Sequence, residues 1–251
     1  MSLRFAVDRW AAWAPGLAAR EDWLRWLERP AAISSEGMPA LPEVAPMTRR
    51  RIDLLGRMAL QTAYWNSIDT ACCPVVFASR WGDSKRSLSL LTQLASGEAL
   101  SPTAFSMSVH NAIGALFSIA RQDPGNYTAI ASGPETVEAA FCEATGMLAD
   151  GAPAVMVVYY EEPLPVPFTQ FEDPASFPHA WACRVVQAPC GGISLSAHSA
   201  TDDANSDGAS QVLNDDGLIG ADLSALRFLT SDQPSYTHRV GMRRWQWSRH
   251  A

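Results

Sequence analysis

Residues 153–160, Pro-Ala-Val-Met-Val-Val-Tyr-Tyr, are a nearly unbroken run of β-type apolar side chains. A strand that is apolar on both of its alternating faces must be covered on both sides, as a central strand is when helices pack above and below its sheet. Helical patterns surround it. Val137, Ala140, Phe141, Ala144 and Leu148 share one face of a helix over residues 134–149. A strand over residues 127–132 precedes that helix, and a helix over residues 108–121 precedes the strand. Strands alternating with helices of this length predict an α/β sheet with helical layers.

The flanking sequence extends the pattern. Leu3, Phe5 and Val7 alternate with polar neighbours, so residues 3–13 read as a strand. Trp23, Trp26 and Leu27 form a short amphipathic piece before a loop carrying Pro30, Pro39, Pro42 and Pro46. Thr48 is placed to cap a helix reaching Trp65, with Ile52, Leu55, Ala59 and Ala63 at helical spacing. Residues 74–79 read as a buried strand. Asp83 then caps a helix with Leu88, Leu91 and Leu94 on one face and Gly97 as its stop. Strands over 180–187 and 192–198 follow a Pro-rich connection, and residues 201–217 turn to Asp, Asn, Ser and Gly, the composition of an acidic, solvated loop. A helix over 221–229 leads to a basic, aromatic tail, residues 238–250, in which Trp245 and Trp247 share a side if it is a strand.

Composition narrows the function classes. The net charge of −7 opposes nucleic-acid binding, which needs a concentrated positive field. No apolar run is long enough to span a bilayer, and the N-terminal segment lacks the basic flank and apolar core of a signal peptide. Five cysteines, Cys72 and Cys73 adjacent, show no metal-type spacing, which fits reduced thiols and a cytoplasmic location and predicts no metal.

Six motifs carry a family resemblance: Met47 with Arg49-Arg50-Arg51, Gly56-Arg57-Met58-Ala59, Val76-Phe77-Ala78-Ser79-Arg80, Ser101-Pro102-Thr103-Ala104-Phe105, Ser108-Val109-His110-Asn111-Ala112 and Leu116-Phe117-Ser118-Ile119. Across residues 47–165 the chain resembles the ketosynthase-like subunits of aryl polyene gene clusters, shortened relatives of the β-ketoacyl synthases that act as chain-length factors. The resemblance implies a thiolase-like, layered αβα fold in one domain. Residues 1–165 would supply a complete N-terminal half and residues 166–251 an abbreviated second half, leaving surface for something to cover.

In ketosynthases of this kind a Thr-Ala-rich strand delivers a catalytic Cys at the start of a buried helix, where the helix dipole favours the thiolate. Here the strand reads Thr128-Ala129-Ile130-Ala131-Ser132-Gly133 and the register from Asn111 needs no gap, so Pro134 stands at the nucleophile position. Proline has no nucleophilic atom but suits a first helical turn. Ser132 or Gly133 can cap that turn, and Glu135 and Glu138 complement its dipole. The family's two C-terminal His motifs are also absent, and His179, His198, His238 and His250 read as ordinary strand or tail histidines.

These departures imply a subunit with no catalytic residue and no cofactor of its own, paired with a full-length, Cys-containing ketosynthase. Its substrates would ride on the phosphopantetheine arm of an acyl carrier protein. By resemblance, the strand over 127–132 is the dimer edge and residues 102–107 reach the partner's acyl pocket. Ala104, Phe105, Met107, His110 and Asn111 are the expected tunnel and interface residues. Arg49, Arg50, Arg51, Arg243 and Arg244 are the expected docking residues for carrier or partner. Two other readings stay open: an acyltransferase or thioesterase using Cys190 or Ser132, and a scaffold that binds carrier protein. Cys142, inside the Pro134 helix, reads as a packing residue.

Overall fold

The computed structural model describes residues 2–33, 36–67, 73–172, 176–188, 190–199 and 219–250. The acidic loop expected over 201–217 lies outside the described residues. Eight strands form one sheet in the order β3-β2-β4-β5-β1-β6-β8-β7, comprising β1 (Ser2–Trp13), β2 (Val75–Ala78), β3 (Tyr127–Ile130), β4 (Val155–Glu161), β5 (His179–Val186), β6 (Gly192–Ser199), β7 (Ser235–Val240) and β8 (Arg243–His250). The helices are α1 (Arg20–Glu28), α2 (Pro46–Arg49), α3 (Leu54–Asn66), α4 (Ser84–Ala95), α5 (Pro102–Ser106), α6 (Ala112–Arg121), α7 (Thr136–Ala149) and α8 (Ala221–Thr230).

Strand β4 meets the expectation set by its composition. Val155, Val157 and Tyr159 enter the core shared with α7, α8 and α1, while Met156, Val158 and Tyr160 enter the core shared with α3 and α6. The period of two thus divides one apolar run between two helical layers.

Strand β1 joins the two portions of the sheet. Residues Ala6 to Trp13 pair with β5, whereas Ser2 to Phe5 pair with β6. A register shift between Val7 and Arg9 changes the parity of the inward positions. Leu3, Phe5 and Val7 before the irregularity, and Trp10 and Ala12 after it, all meet the same core. Phe141 of α7 ties both portions together, with ring centroids 4.9 Å from Phe5 and 5.1 Å from Trp247.

Two helix boundaries and one buried face differ from the sequence expectations. The helix expected from Thr48 is two: α2 ends at Arg49, and α3 starts afresh where the Asp53 side chain accepts the Gly56 amide. The helix expected from Ser108 starts at Ala112, because Ser101 caps its own short helix, α5, with Pro102 in the first turn. On α4, Asp83 caps as expected, but Leu90 is the buried residue and Leu91 and Leu94 are exposed.

The second half was expected to leave surface for something to cover. Its face away from the core carries the cross-strand rows Ser194-Ser248-Ser235, Ser196-Gln246-Thr237 and His198-Arg244-Arg239. Among the described residues, polar side chains rather than a further helical layer occupy that face.

Candidate functional site

Strand β3 delivers the chain to a 3-10 turn, Gly133–Glu135, that opens α7. Gly133 takes φ +57, a left-handed conformation that glycine adopts without steric cost, and Pro134 follows within the first turn. Thr136 fastens the corner. Its hydroxyl donates to the Gly133 carbonyl at 2.7 Å and accepts the Ser132 amide at 3.0 Å. Ser132 makes no side-chain cap, so Thr136 performs the task that sequence reasoning gave to Ser132 or Gly133. Pro134 itself is exposed.

The two carboxylates of this turn are bound by the C-terminal hairpin. Arg243 Nη1 donates to Glu135 Oε2 at 3.0 Å and Trp245 Nε1 donates to Glu135 Oε1 at 2.8 Å. Glu138, 1% exposed, lies with its Oε1 2.9 Å from His238 Nδ1 and accepts Trp247 Nε1 at 3.4 Å. Arg243, Trp245 and Trp247 are alternate residues of β8, so one strand face closes over one helix start. A thiolate at position 134 would stand next to the Glu135 carboxylate, whose own cation, Arg243, is already engaged. Sequence reasoning missed this junction. Nothing local marks it, because its contacts join the helix start to strands about a hundred positions further along the chain.

The expected tunnel residues lie on the opposite side of β3, from α5 into α6. Phe105 is 62% exposed, Ala104, Met107 and His110 are partly buried, and Asn111 is exposed at the start of α6 with no side-chain cap. His110 Nε2 lies 2.9 Å from the Ser79 carbonyl oxygen and its ring packs on Gly82, where a Cβ would meet His110 Cδ2 at 3.0 Å. Arg51, Met107, His110 and Tyr160 line one narrow cleft, so one docking candidate and two tunnel candidates come together. Arg49 Nη1 is instead committed to the Leu41 carbonyl at 3.1 Å, while Arg50 remains exposed. Arg243 is held by Glu135 and Arg244 stands in the polar outer row of the sheet.

Exposed apolar side chains concentrate in this stretch: Leu91 and Leu94 of α4, Phe105 of α5, Val109, and Ile119 of α6. Strand β3 is an edge of the sheet. The Asn126 and Ile130 carbonyls accept from Val75 and Ser79, so by alternation the backbone groups of Tyr127 and Ala129 point away from β2.

The alternative nucleophiles lack activating neighbours among the described residues. Ser132 uses its amide, not its hydroxyl, in the corner, and Cys190 is exposed without a histidine or carboxylate partner. Partial burial raises the Cys142 thiol, with Glu138 adding to the effect, which opposes thiolate formation. Each histidine has another partner: Ser79 for His110, Asp222 for His179, Ser196 for His198, Glu138 for His238 and Ser194 for His250.

A second polar centre is buried where β4 meets β5. Glu161 and His179 are cross-strand partners, and His179 Nε2 lies 2.7 Å from Asp222 Oδ2 of α8 while its Nδ1 lies 2.8 Å from the Phe177 carbonyl oxygen. Two acceptors on two ring nitrogens call for the imidazolium. Burial opposes that charge, but Asp222 outweighs it and the His179 pKa is raised. Burial pushes the neighbouring Glu161 carboxyl up to about 8. No group of metal-ligating side chains occurs among the described residues.

The model of the beta-ketoacyl synthase N-terminal domain matches residues 23–248. The chain belongs to that family. Among solved structures, this ketosynthase-family chain is similar to one chain of the ketosynthase ApeO in complex with its chain length factor ApeC from Xenorhabdus doucetiae. That match has 26% identity and TM-score 0.81, and covers 98% of this chain and 100% of the other. It is similar in fold to the ishigamide ketosynthase/chain length factor, at 17% identity and TM-score 0.63, covering 80% of this chain and 68% of that one. A beta-ketoacyl synthase from Burkholderia phymatum STM815 matches at 11% identity and TM-score 0.58, covering 84% and 66% respectively. No curated protein matches. The α/β architecture described above is thus the thiolase-like ketosynthase fold in a shortened form, and no described helix is long and apolar enough to cross a membrane.

Proposed function

We propose that this chain is a non-catalytic chain-length factor. It pairs with a Cys-containing ketosynthase and shapes the tunnel that holds an acyl chain growing on acyl carrier protein. What supports the reading is the helix start at Pro134, the position the family resemblance gives to the nucleophile, where Glu135 and Glu138 are both bound by β8. Decarboxylative condensation of malonyl units would then take place on the partner's cysteine and on phosphopantetheine thioesters.

Two further features support the pairing. Strand β3 is an edge whose Tyr127 and Ala129 backbone groups require partners, and an added strand from the ketosynthase would supply them. Phe105, Val109 and Ile119 are large apolar side chains left in water by this chain alone. Similarity over the full length of a chain from a ketosynthase and chain-length-factor complex favours the same assembly. Arg50 and Arg51, exposed beside the cleft, are the docking candidates for an acidic carrier protein.

The test is the product-length profile of the reconstituted pair. Phe105→Ala lengthens the dominant product by enlarging the tunnel, and Phe105→Trp shortens it; an unchanged profile for both removes the tunnel role. Turnover of an acyl thioester by the purified chain alone would favour the acyltransferase or thioesterase reading instead.

A further inference from the structure

The last residue of β4 reaches across the top of the sheet to the chain leaving β2. Glu161 Oε1 accepts the Ser79 hydroxyl at 3.2 Å, the Arg80 amide, and the Trp81 amide at 3.4 Å. Ser79 Oγ in turn accepts the Gly82 amide at 2.7 Å, and the Ser79 carbonyl oxygen lies 2.9 Å from His110 Nε2. His110 stands between Met107 and α6, and its ring seats on Gly82 at φ +59. One carboxyl group therefore organises residues 79–82, and those residues hold the histidine that ends the exposed stretch carrying Phe105.

We propose that Glu161 is a positioning residue. Its side chain fixes the Ser79–Gly82 turn, and through His110 it fixes the loop that presents Met107 and Phe105 to the partner subunit. The functional half of this inference rests on the chain-length-factor reading. The latch itself belongs to the isolated chain.

The surroundings determine the form in which Glu161 works. It is 9% exposed, and its Oε2 has no hydrogen-bond partner. The charged groups around it are already committed. His179 of β5 is held by Asp222 of α8, Lys85 of α4 by Glu162, and the Arg80 guanidinium lies over the Trp81 ring at 4.4 Å. Glu172 accepts the Leu164 amide on the far wall of the same pocket. The donors from Arg80 and Ser79 and the neighbouring His179 favour the carboxylate, but burial outweighs them, and a neutral carboxyl retains the oxygen that accepts the three donors. The raised pKa agrees with that geometry. Glutamine keeps the accepting oxygen in a neutral group of nearly the same shape, and alanine removes it.

Amide hydrogen exchange on the isolated chain reads the latch, and product length in the reconstituted pair reads its consequence. Glu161→Ala is expected to lower protection of the Arg80, Trp81 and Gly82 amides by about ten-fold or more, the loss of a buried acceptor. Glu161→Gln is expected to retain protection within about two-fold. In the pair, Glu161→Ala broadens the product distribution and Glu161→Gln restores it. Unchanged protection in Glu161→Ala, or equal loss in both variants, overturns the proposal. A wild-type chain with protected amides but no ketosynthase pairing overturns the functional reading and leaves the latch standing.

Should Glu161→Ala not fold, the comparison of wild type with Glu161→Gln decides. The wild-type denaturation midpoint must fall relative to the variant as pH rises from about 4.5 to about 8, and identical pH profiles overturn the neutral latch.

Discussion

Pro134 is the residue on which the functional reading turns, and its neighbours set what a cysteine placed there would meet. Glu135 and Glu138 sit within a turn of it and are bound by Arg243, Trp245, His238 and Trp247. A cysteine placed there is exposed and next to the Glu135 carboxylate, which does not draw a thiol toward thiolate. Pro134→Cys is therefore expected to give no condensation with carrier-bound malonyl and acyl groups. Its alkylation rate by iodoacetamide should not exceed that of exposed Cys190, and a condensing variant would contradict the account. At the same scale, Glu161 couples protonation to stability. Its folded pKa lies above the unfolded value, so it favours folding fully below about 4.5 and the contribution is lost as pH rises to about 8. One proton sets a limiting slope of about 1.4 kcal/mol per pH unit. His179, also raised, adds a slope of the same sign, and because it interacts with Glu161 the difference between wild type and Glu161→Gln reads the two together. Pro134 and its helix-start role were legible from residue type and spacing. Glu161 was not, because its partners lie about eighty positions away and nothing local marks it.

At the level of elements, β3 and α6 carry the pairing argument. Gly114 of α6 lets the strand approach closely, since a Cβ there would meet Tyr127 Cδ2 at 2.4 Å. With Thr128 and Ile130 turned toward β2, Ala129 can lose its amide without breaking the ladder inside this chain. Ala129→Pro is thus expected to keep the isolated chain folded by circular dichroism and to weaken capture of the ketosynthase by about ten-fold or more, through one lost strand bond and the ring's bulk. Normal capture by that variant would exclude sheet continuation at β3. Element types over residues 101–160 followed from periodicity because apolar spacing dominates there. The starts were harder: Asp53 restarts a helix that Thr48 was expected to cap, and Ser101-Pro102 takes residues into a helix of its own. Competition between nearby caps decided both, and pattern alone does not rank caps.

Across the whole molecule, a shortened second half is reconciled with a stable core by two long-range devices. Strand β1 spans both portions of the sheet, and its irregularity at residues 7–9 keeps Leu3, Phe5, Val7, Trp10 and Ala12 on one core. The β7–β8 hairpin sends Trp247 against Phe5 and Phe141 and turns rows of Ser, Thr, Gln, His and Arg outward. The α/β class and the family were readable because motifs within residues 47–165 are local. The β8 contacts with α7 were not, since they join positions more than a hundred apart. The central claim concerns assembly, and co-expression with a Cys-containing ketosynthase measures it most directly. A stable one-to-one complex is predicted, with condensation that is abolished by removing the partner's cysteine. Absence of that complex, together with thioester turnover by this chain alone, would contradict it.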